Sequence, residues 1–356
     1  MTGDKTIEGG DSCSEQLPQL TSVAVAGLGL IGGSLAQRLA CRGMTVYGWD
    51  LSQDFYPQAV SSGIRCMPSL EDMVRADPDL LVIATPLKAI DDLLPRIKKE
   101  MNPQTTLTDV GSVKQQVLHS VEKAGLADSY VGAHPMAGNE QEGFYASSSD
   151  LMDNALWAIT VADSTDYRRF LQVGQMITAY ASNEFITVDA AIHDQAAALI
   201  SHMPHAVSTA LINRMVESPV ANVAYSLSAG SWRDMTRVAL TSPERTKAMI
   251  EENPQEVSSL LKTMADSLRD LSRALDQKDN RYLDQFFAFG NPYRQSQWEQ
   301  RRLMNQFGQR TEPEHRTLTI DQSDWKNQLG SVSRNAQSVV SILSPSQMEI
   351  KQYPHL

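Results

Sequence analysis

A short apolar run, Ser22-Val23-Ala24-Val25-Ala26, ends in Gly27-Leu28-Gly29-Leu30-Ile31-Gly32-Gly33-Ser34 and feeds directly into Leu35-Ala36-Gln37-Arg38-Leu39-Ala40. The run reads as a strand, the segment after it as a helix, and Gly-x-Gly-x-x-Gly joins them. No other stretch restricts the fold of this chain so strongly. Gly27 permits a tight turn, Gly29 lets the backbone approach a pyrophosphate, and Gly32 allows helix and strand to pack closely. Leu30 and Ile31 lie at the helix N-terminus, whose free N–H groups and positive dipole end complete an anion cradle. Thr45-Val46-Tyr47-Gly48-Trp49-Asp50 forms a second strand ending in an acid, about 20 residues on, where an adenosine ribose should arrive. The Asp50 carboxylate would accept from the ribose hydroxyls and repel a 2′-phosphate, and Leu51, Ser52 and Gln53 offer no cation to rescue one. The pattern predicts a Rossmann unit that takes NAD in preference to NADP. A Gly-rich turn without ligand, with Asp50 as a surface turn residue, is the plain alternative.

Strand-like and helix-like segments continue to alternate as far as about Thr187. Asp79-Leu80-Leu81-Val82-Ile83-Ala84-Thr85-Pro86 is a continuous apolar run of the kind buried on both faces of a parallel sheet. Its carboxyl end, Thr85 and Pro86, should lie beside the cofactor. Further strands are predicted at Thr105–Val110, Tyr130–Pro135, Leu156–Val161 and Glu184–Val188. From Asp189 onward the pattern turns to long helices. The first, Ala190 to Glu217, contains Pro204, which removes a backbone hydrogen bond and should kink it. Later, Val257, Leu261, Met264, Leu268, Leu271 and Leu275 recur at alternating spacings of 4 and 3. Such a seam must bury itself against another helix, of this chain or of a second copy. The expected layout is an α/β protein: a disordered leader over 1–19, a Rossmann domain over 20–187, an all-helical domain over 188–310 and a tail over 311–356. The tail has strand-like stretches at Arg316–Ile320 and Met348–Gln352 and no assigned role.

The chain has 356 residues, room for two domains and a sizeable core. A net charge of −11 argues against general affinity for nucleic acid or an anionic membrane. Cys13, Cys41 and Cys66 are odd in number and lack metal-type spacing, which suits a reducing compartment. The polar, acidic start has no secretory pattern, and no apolar run reaches the roughly 20 residues of a membrane span. A cytoplasmic protein is expected.

Four clusters outside the glycine loop could carry chemistry. Asp109-Val110-Gly111-Ser112-Val113-Lys114 sets a hydroxyl at a strand-to-helix turn, where Ser112 reads either as an N-cap or as a group facing the crevice. His134-Pro135-Met136-Ala137-Gly138 puts an imidazole at the carboxyl end of a strand on the same side. A dehydrogenase needs a base near the carbon that loses hydride, and histidine titrates closest to neutrality; a lone loop histidine is otherwise structural. His193-Asp194 and Ser201-His202-Met203-Pro204-His205 share one helix. A His-x-x-His pair could bind a metal, but without His-Glu-x-x-His or clustered Cys none is expected. Trp232-Arg233-Asp234-Met235-Thr236-Arg237 reads either as a solvated charged face with an Asp234–Arg237 pair or as a carboxylate clamp.

Taken together, GLGLIGGS, DVGSVK, HPMAG followed by Asn139-Glu140, HDQAAALISHMPH and WRDMTR occur in the order seen in prephenate dehydrogenases, and the chain resembles that family from about Val23 to Leu275. The resemblance implies a Rossmann domain followed by an all-helical domain through which two copies dimerise. It implies oxidation of prephenate by NAD⁺ to 4-hydroxyphenylpyruvate and CO₂ on the route to tyrosine, or, in close relatives, of arogenate to tyrosine. By the same match His134 would accept the proton of the substrate ring hydroxyl while Ser112 orients that hydroxyl. Arg237 would hold a substrate carboxylate, with His205 lining the pocket, Arg233 at its mouth and Asp234 fixing an arginine. Local arginines make physical sense, because an acidic protein must build its own positive potential to hold a dianion. Two departures stand out. Where some members carry a Trp past the arginine motif this chain has Pro243-Glu244-Arg245-Thr246, and the segment after Arg310 is short for the amino-acid-sensing domain that many relatives possess. A related 3-hydroxyacid dehydrogenase is the other enzymatic reading, but His193 to His205 lacks the usual Lys base. A non-catalytic NAD sensor would be expected to lose His134 or Arg237, and both are present.

Overall fold

The computed structural model describes residues 16–139, 141–307 and 313–352. Strands β1 (Ser22–Ala26), β2 (Thr45–Trp49), β3 (Ile64–Cys66), β4 (Leu80–Ile83) and β5 (Thr106–Asp109) form a parallel sheet in the order β3-β2-β1-β4-β5. Their residues are almost all buried because helices cover both faces, as a parallel sheet requires. Strand order reverses between β1 and β4, so a crevice opens at their carboxyl ends, where the glycine loop and Thr85 emerge side by side. β3 is absent from the sequence reading; three residues are too few to show a period.

A second sheet contains β6 (Gly132–Pro135), β7 (Leu156–Thr160), β8 (Glu184–Val188), β9 (Glu314–Thr319), β10 (Gln337–Ser344) and β11 (Gln347–Gln352), in the order β6-β7-β8-β10-β11-β9. It is mixed: β7 and β8 are parallel, whereas β6 runs antiparallel to β7 and the last three strands are antiparallel to their neighbours. The amide of Val131 donates to the carbonyl of Leu107 at 2.9 Å, so β6 leaves directly from the edge of β5. His134 is thereby carried to the crevice on a strand rather than on a free loop.

The tail therefore has a structural role that its sequence did not reveal. The two strand-like stretches are β9 and β11, and between them lie a helix, Trp325–Arg334, and β10, neither of which was anticipated. β10 covers the edge of β8, and the helix lays Trp325, Leu329 and Val332 onto the core. Trp325 sits 4.6 Å from Phe170 and 5.0 Å from Tyr167, ring centre to ring centre. Residues 1–15 of the expected leader lie outside the described residues. The rest of it is pinned: Gln172 and Gln175 donate side-chain amide hydrogens to the carbonyls of Gln19 and Pro18, and Leu17 packs on the core.

The remaining elements are helical, from Ala190–Ala197 to Asn291–Phe307. The predicted first helix does not break at Pro204. Its missing donor is absorbed by a π turn, Ala198–His202, from which Met203–Val216 continues with the proline in its first turn. Helix Pro254–Gln277 carries the predicted seam, and the chain covers only part of it: Val257 is buried, but Leu268 and Leu275 are 54% and 59% exposed. Among the described residues no helix is long and apolar enough to cross a membrane.

Because Trp325 joins the tail to the core, Trp325→Ala should destabilise the protein by about 3–5 kcal/mol. Urea unfolding would measure the loss, and a change below about 1 kcal/mol would show that the tail only rests on the surface.

Candidate active site

The crevice floor is the glycine loop. Gly27 has φ +95°, and a Cβ there would stand 2.7 Å from the carbonyl carbon of Ala84, the residue after β4. At Gly32 a Cβ would come within 2.0 Å of the Gly27 carbonyl oxygen. Neither position admits a side chain. Gly29, by contrast, meets nothing within 4 Å and caps helix Leu30–Cys41 without a side-chain hydrogen bond. The helix thus starts beside a backbone bare of side chains, and its first-turn amides, those of Leu30 and Ile31 among them, have no partner within the helix. Asp50 braces the loop: its carboxylate accepts the Leu28 amide at 2.7 Å and the Ser52 amide at 2.9 Å. Opposite, the hydroxyl of Thr85 is buried without a hydrogen-bond partner among the described residues, and Pro86 follows it at the rim. Open cradle, unpartnered hydroxyl and terminal acid together fit a dinucleotide.

Next to it stands an array of side chains that sequence reasoning named only in part. His134 Nδ1 lies 2.9 Å from His193 Nε2, and His193 Nδ1 lies 2.8 Å from Asp194 Oδ1. Asp194 also accepts the backbone amides of Lys114, at 2.7 Å, and Gln115, at 2.9 Å. Burial alone would raise its pKa, but hydrogen bonds from His193 and those two amides hold the carboxyl below its ordinary value. An ionised Asp194 makes His193 Nδ1 the donor, and in that tautomer His193 Nε2 accepts the N–H at His134 Nδ1. His134 is left with an unprotonated Nε2. Burial first, then the neighbouring His193, Lys114 and His202, push the His134 pKa well below the usual histidine value, so the ring is neutral. His202 is likewise neutral, lowered to about 4 chiefly by burial, and faces the side-chain amide of Asn253.

Asp194 settles the question about Ser112. The helix Gln115–Ala124 is capped by Asp194, from another helix, and by no side chain of its own. Ser112 is not the N-cap; half-buried in the loop after β5, it makes no hydrogen bond among the described residues. The signal for Asp194 was present in His193-Asp194, but its partner lies 80 residues away, and no local pattern reports that pairing.

The helical half contributes the other predicted residues. His205 Nδ1 donates to the Ser201 carbonyl at 2.9 Å. One turn on, Ser208 donates to the Met235 carbonyl at 2.9 Å and docks segment Gly230–Thr236 on the same helix. Ser242 then donates to Glu142, and Arg245 to the carbonyls of Asn139 at 2.7 Å and Gln141 at 3.3 Å. Arg237 stands between these attachments, one to the His205 helix and one to the loop after His134. Arg233 and Arg237 are both exposed. The expected Asp234–arginine pair does not form among the described residues, where neither arginine has an ion-pair partner. Arg245 latches the His134 loop, a role not foreseen. Among the described residues no three His, Cys, Asp or Glu side chains could hold a metal.

Comparison with known proteins agrees with this geometry. The family described as "Prephenate dehydrogenase, nucleotide-binding domain" matches residues 34–182, and "Prephenate dehydrogenase, dimerization domain" matches 189–289. A prephenate dehydrogenase of Bacillus subtilis is 27% identical over 77% of this chain and 75% of its own. The crystal structure of A. aeolicus prephenate dehydrogenase with hydroxyphenyl propionate and NAD+ is 25% identical, with a TM-score of 0.71 over 78% of this chain and 99% of that one. Synechocystis arogenate dehydrogenase is 26% identical, with a TM-score of 0.69 over 77% and 99%.

Asp194 has a folded pKa below its unfolded value, so the stability it contributes is present above that unfolded value, 3.8, and lost as pH falls through the folded one. Asp194→Ala would leave two amides and His193 unpaired, at a cost of about 2 kcal/mol or more at pH 7. Thermal unfolding against pH should show the gap between the two proteins closing in acid; a gap independent of pH would argue against an ionised Asp194.

Proposed function

The chain belongs to the prephenate dehydrogenase family, and from that premise we propose that it catalyses NAD-dependent oxidative decarboxylation of prephenate to 4-hydroxyphenylpyruvate in tyrosine formation. The observation that carries this reading is the His134–His193–Asp194 relay beside the empty-backed glycine cradle. Gly27, Gly29, Leu30, Ile31 and Gly32 would hold the cofactor's pyrophosphate, Asp50 its ribose, and Thr85 and Pro86 its nicotinamide half. When bound, NAD⁺ supplies the hydride acceptor.

His134 Nε2 takes the proton of the substrate ring hydroxyl, and the charge that arises on the ring is met by His193 and, beyond it, the Asp194 carboxylate. Ser112, free of any capping duty, orients the same hydroxyl. Arg237 pairs with a substrate carboxylate, Arg233 attracts the dianion at the mouth and His205 presents Nε2 to the pocket. General-base help of this kind is typically worth ~10²–10⁴ in rate. Asp50 favours NAD over NADP, since its charge would repel a 2′-phosphate. The same reading makes the protein a cytoplasmic homodimer through the helical half. The half-bare seam on Pro254–Gln277 supports a second copy, as does an open apolar groove of about 430 Å³ beside Ile250, Val257 and Leu261.

The test is to mix the purified protein with prephenate or arogenate and with NAD⁺ or NADP⁺, and to follow reduced cofactor. Prephenate with NAD⁺ should be the productive pair. Turnover of arogenate alone would shift the substrate, and no turnover with either would remove the proposal. His134→Asn should lower kcat by a factor of about a hundred or more while substrate still binds; unchanged turnover would take His134 out of the mechanism.

A further inference from the structure

Lys114 has no exposed surface at all, yet neither the cradle nor the relay uses its side chain. We propose that the buried Lys114–Asp109 pair is the positioning device that sets Ser112 and His134 against each other and keeps a positive charge near His134. The inference rests on His134 being the base.

The Asp109 carboxylate is saturated. Oδ1 accepts the Tyr130 hydroxyl at 2.8 Å and the Ala133 amide at 3.3 Å; Oδ2 accepts the Gly111 amide at 2.8 Å and the Lys114 ammonium. Lys114 Nζ donates in addition to the Ala133 carbonyl at 2.9 Å. Ala133 directly precedes His134, and both of its backbone polar groups are gripped by the pair. Gly111 directly precedes Ser112 and is gripped at its N–H. The Lys114 backbone amide goes to Asp194, the end of the relay. Three segments that carry Ser112, His134 and Asp194 thus meet at one ion pair.

Stability alone does not call for such a pair, because well-packed apolar residues of the same volume serve a core equally well or better. Apolar residues could not hold the two polar groups of Ala133 and the amide of Gly111. The charges matter as well. His134 is faced by His193, with Asp194 behind it on the same helix, by His202 from the π turn, and by Lys114 with Asp109 behind it. The Lys114 ammonium opposes a charged His134 ring, in the same direction as burial. It therefore keeps the base unprotonated to lower pH, and its removal should move the acid limb of activity to higher pH.

The experiment measures kcat/KM against pH, with NAD⁺ and whichever of prephenate and arogenate the parent turns over, for Lys114→Met and for the double variant Asp109→Asn/Lys114→Met. The double variant buries no unpaired charge. Lys114→Met should show the acid limb raised by about one pH unit, the double variant, which also loses the opposing Asp109 charge, a smaller rise in the same direction, and both a lowered kcat with the KM for NAD⁺ unchanged. A folded double variant whose acid limb does not move would overturn the proposal, since a packing role lowers kcat without shifting that limb. Loss of fold in both variants would count against it equally, by making the pair a requirement of the core. His134→Asn separates the two readings. If the parent's acid limb survives that substitution, His134 is not the base; if the limb vanishes there but is unmoved by the Lys114 variants, only the role of the pair fails.

Discussion

One carboxylate holds the two halves of this protein in working order. Asp194 belongs to the first helix after the sheets, yet two of its hydrogen bonds cap a helix that follows β5, and a third fixes the ring of His193. A helix N-terminus presents unsatisfied amides and a positive dipole end, so an anion there is stabilised and stays ionised. The ionised form is also what sets the tautomer of His193, and through it that of His134. Domain docking and the orientation of His134 are the same set of hydrogen bonds. If the helical half moved away, the helix would lose its cap and His134 its orientation together.

How much of this the sequence discloses depends on how local each feature is. The glycine cradle is legible because its constraints act within a few residues: a positive φ at Gly27, a close approach at Gly32, an acid at the end of the next strand. Most strands of both sheets are legible too, since each is a short apolar run with its own ends. Pairing is another matter. Nothing in Tyr130–Pro135 tells that β6 turns antiparallel to β7, and nothing in the polar tail tells that β10 will seek the edge of β8. Lys114 is the sharpest case. A lysine beside a loop reads as exposed, and its complete burial follows only from Asp109, Tyr130 and Ala133 closing around it.

The electrostatics divide along the same line. The chain has a net charge of −11, so attraction of any anion must come from a few local cations. The exposed Arg233 and Arg237 are free of ion-pair partners among the described residues, whereas Lys114 is paired with Asp109 and Arg245 spends an N–H group on two loop carbonyls. Arginine suits both tasks, as a planar donor fork that keeps its charge. The charge beside His134 is thus internal and fixed, in the Lys114–Asp109 pair, whereas Arg233 and Arg237 carry theirs exposed on the helical half.

The tail gives the fold a topological consequence. The helix Tyr167–Gln175 approaches β10 so closely that a Cβ on Gly174 would stand 2.5 Å from the Ile342 side chain, and Trp325 lies tilted against Phe170. The core of the domain that opens the chain is therefore closed by residues near its end, with the whole helical domain inserted between. Contacts of such long sequence separation are slow to form, because the chain entropy of a large loop is lost before they are made. Until they form, β8 presents an unpaired edge and Phe170 and Phe185 lack their cover, the kind of surface that invites association with other chains. The helical domain, whose contacts are more local, can reach its fold first. Its docking through Asp194 then brings the two ends of the sheet domain within reach of one another.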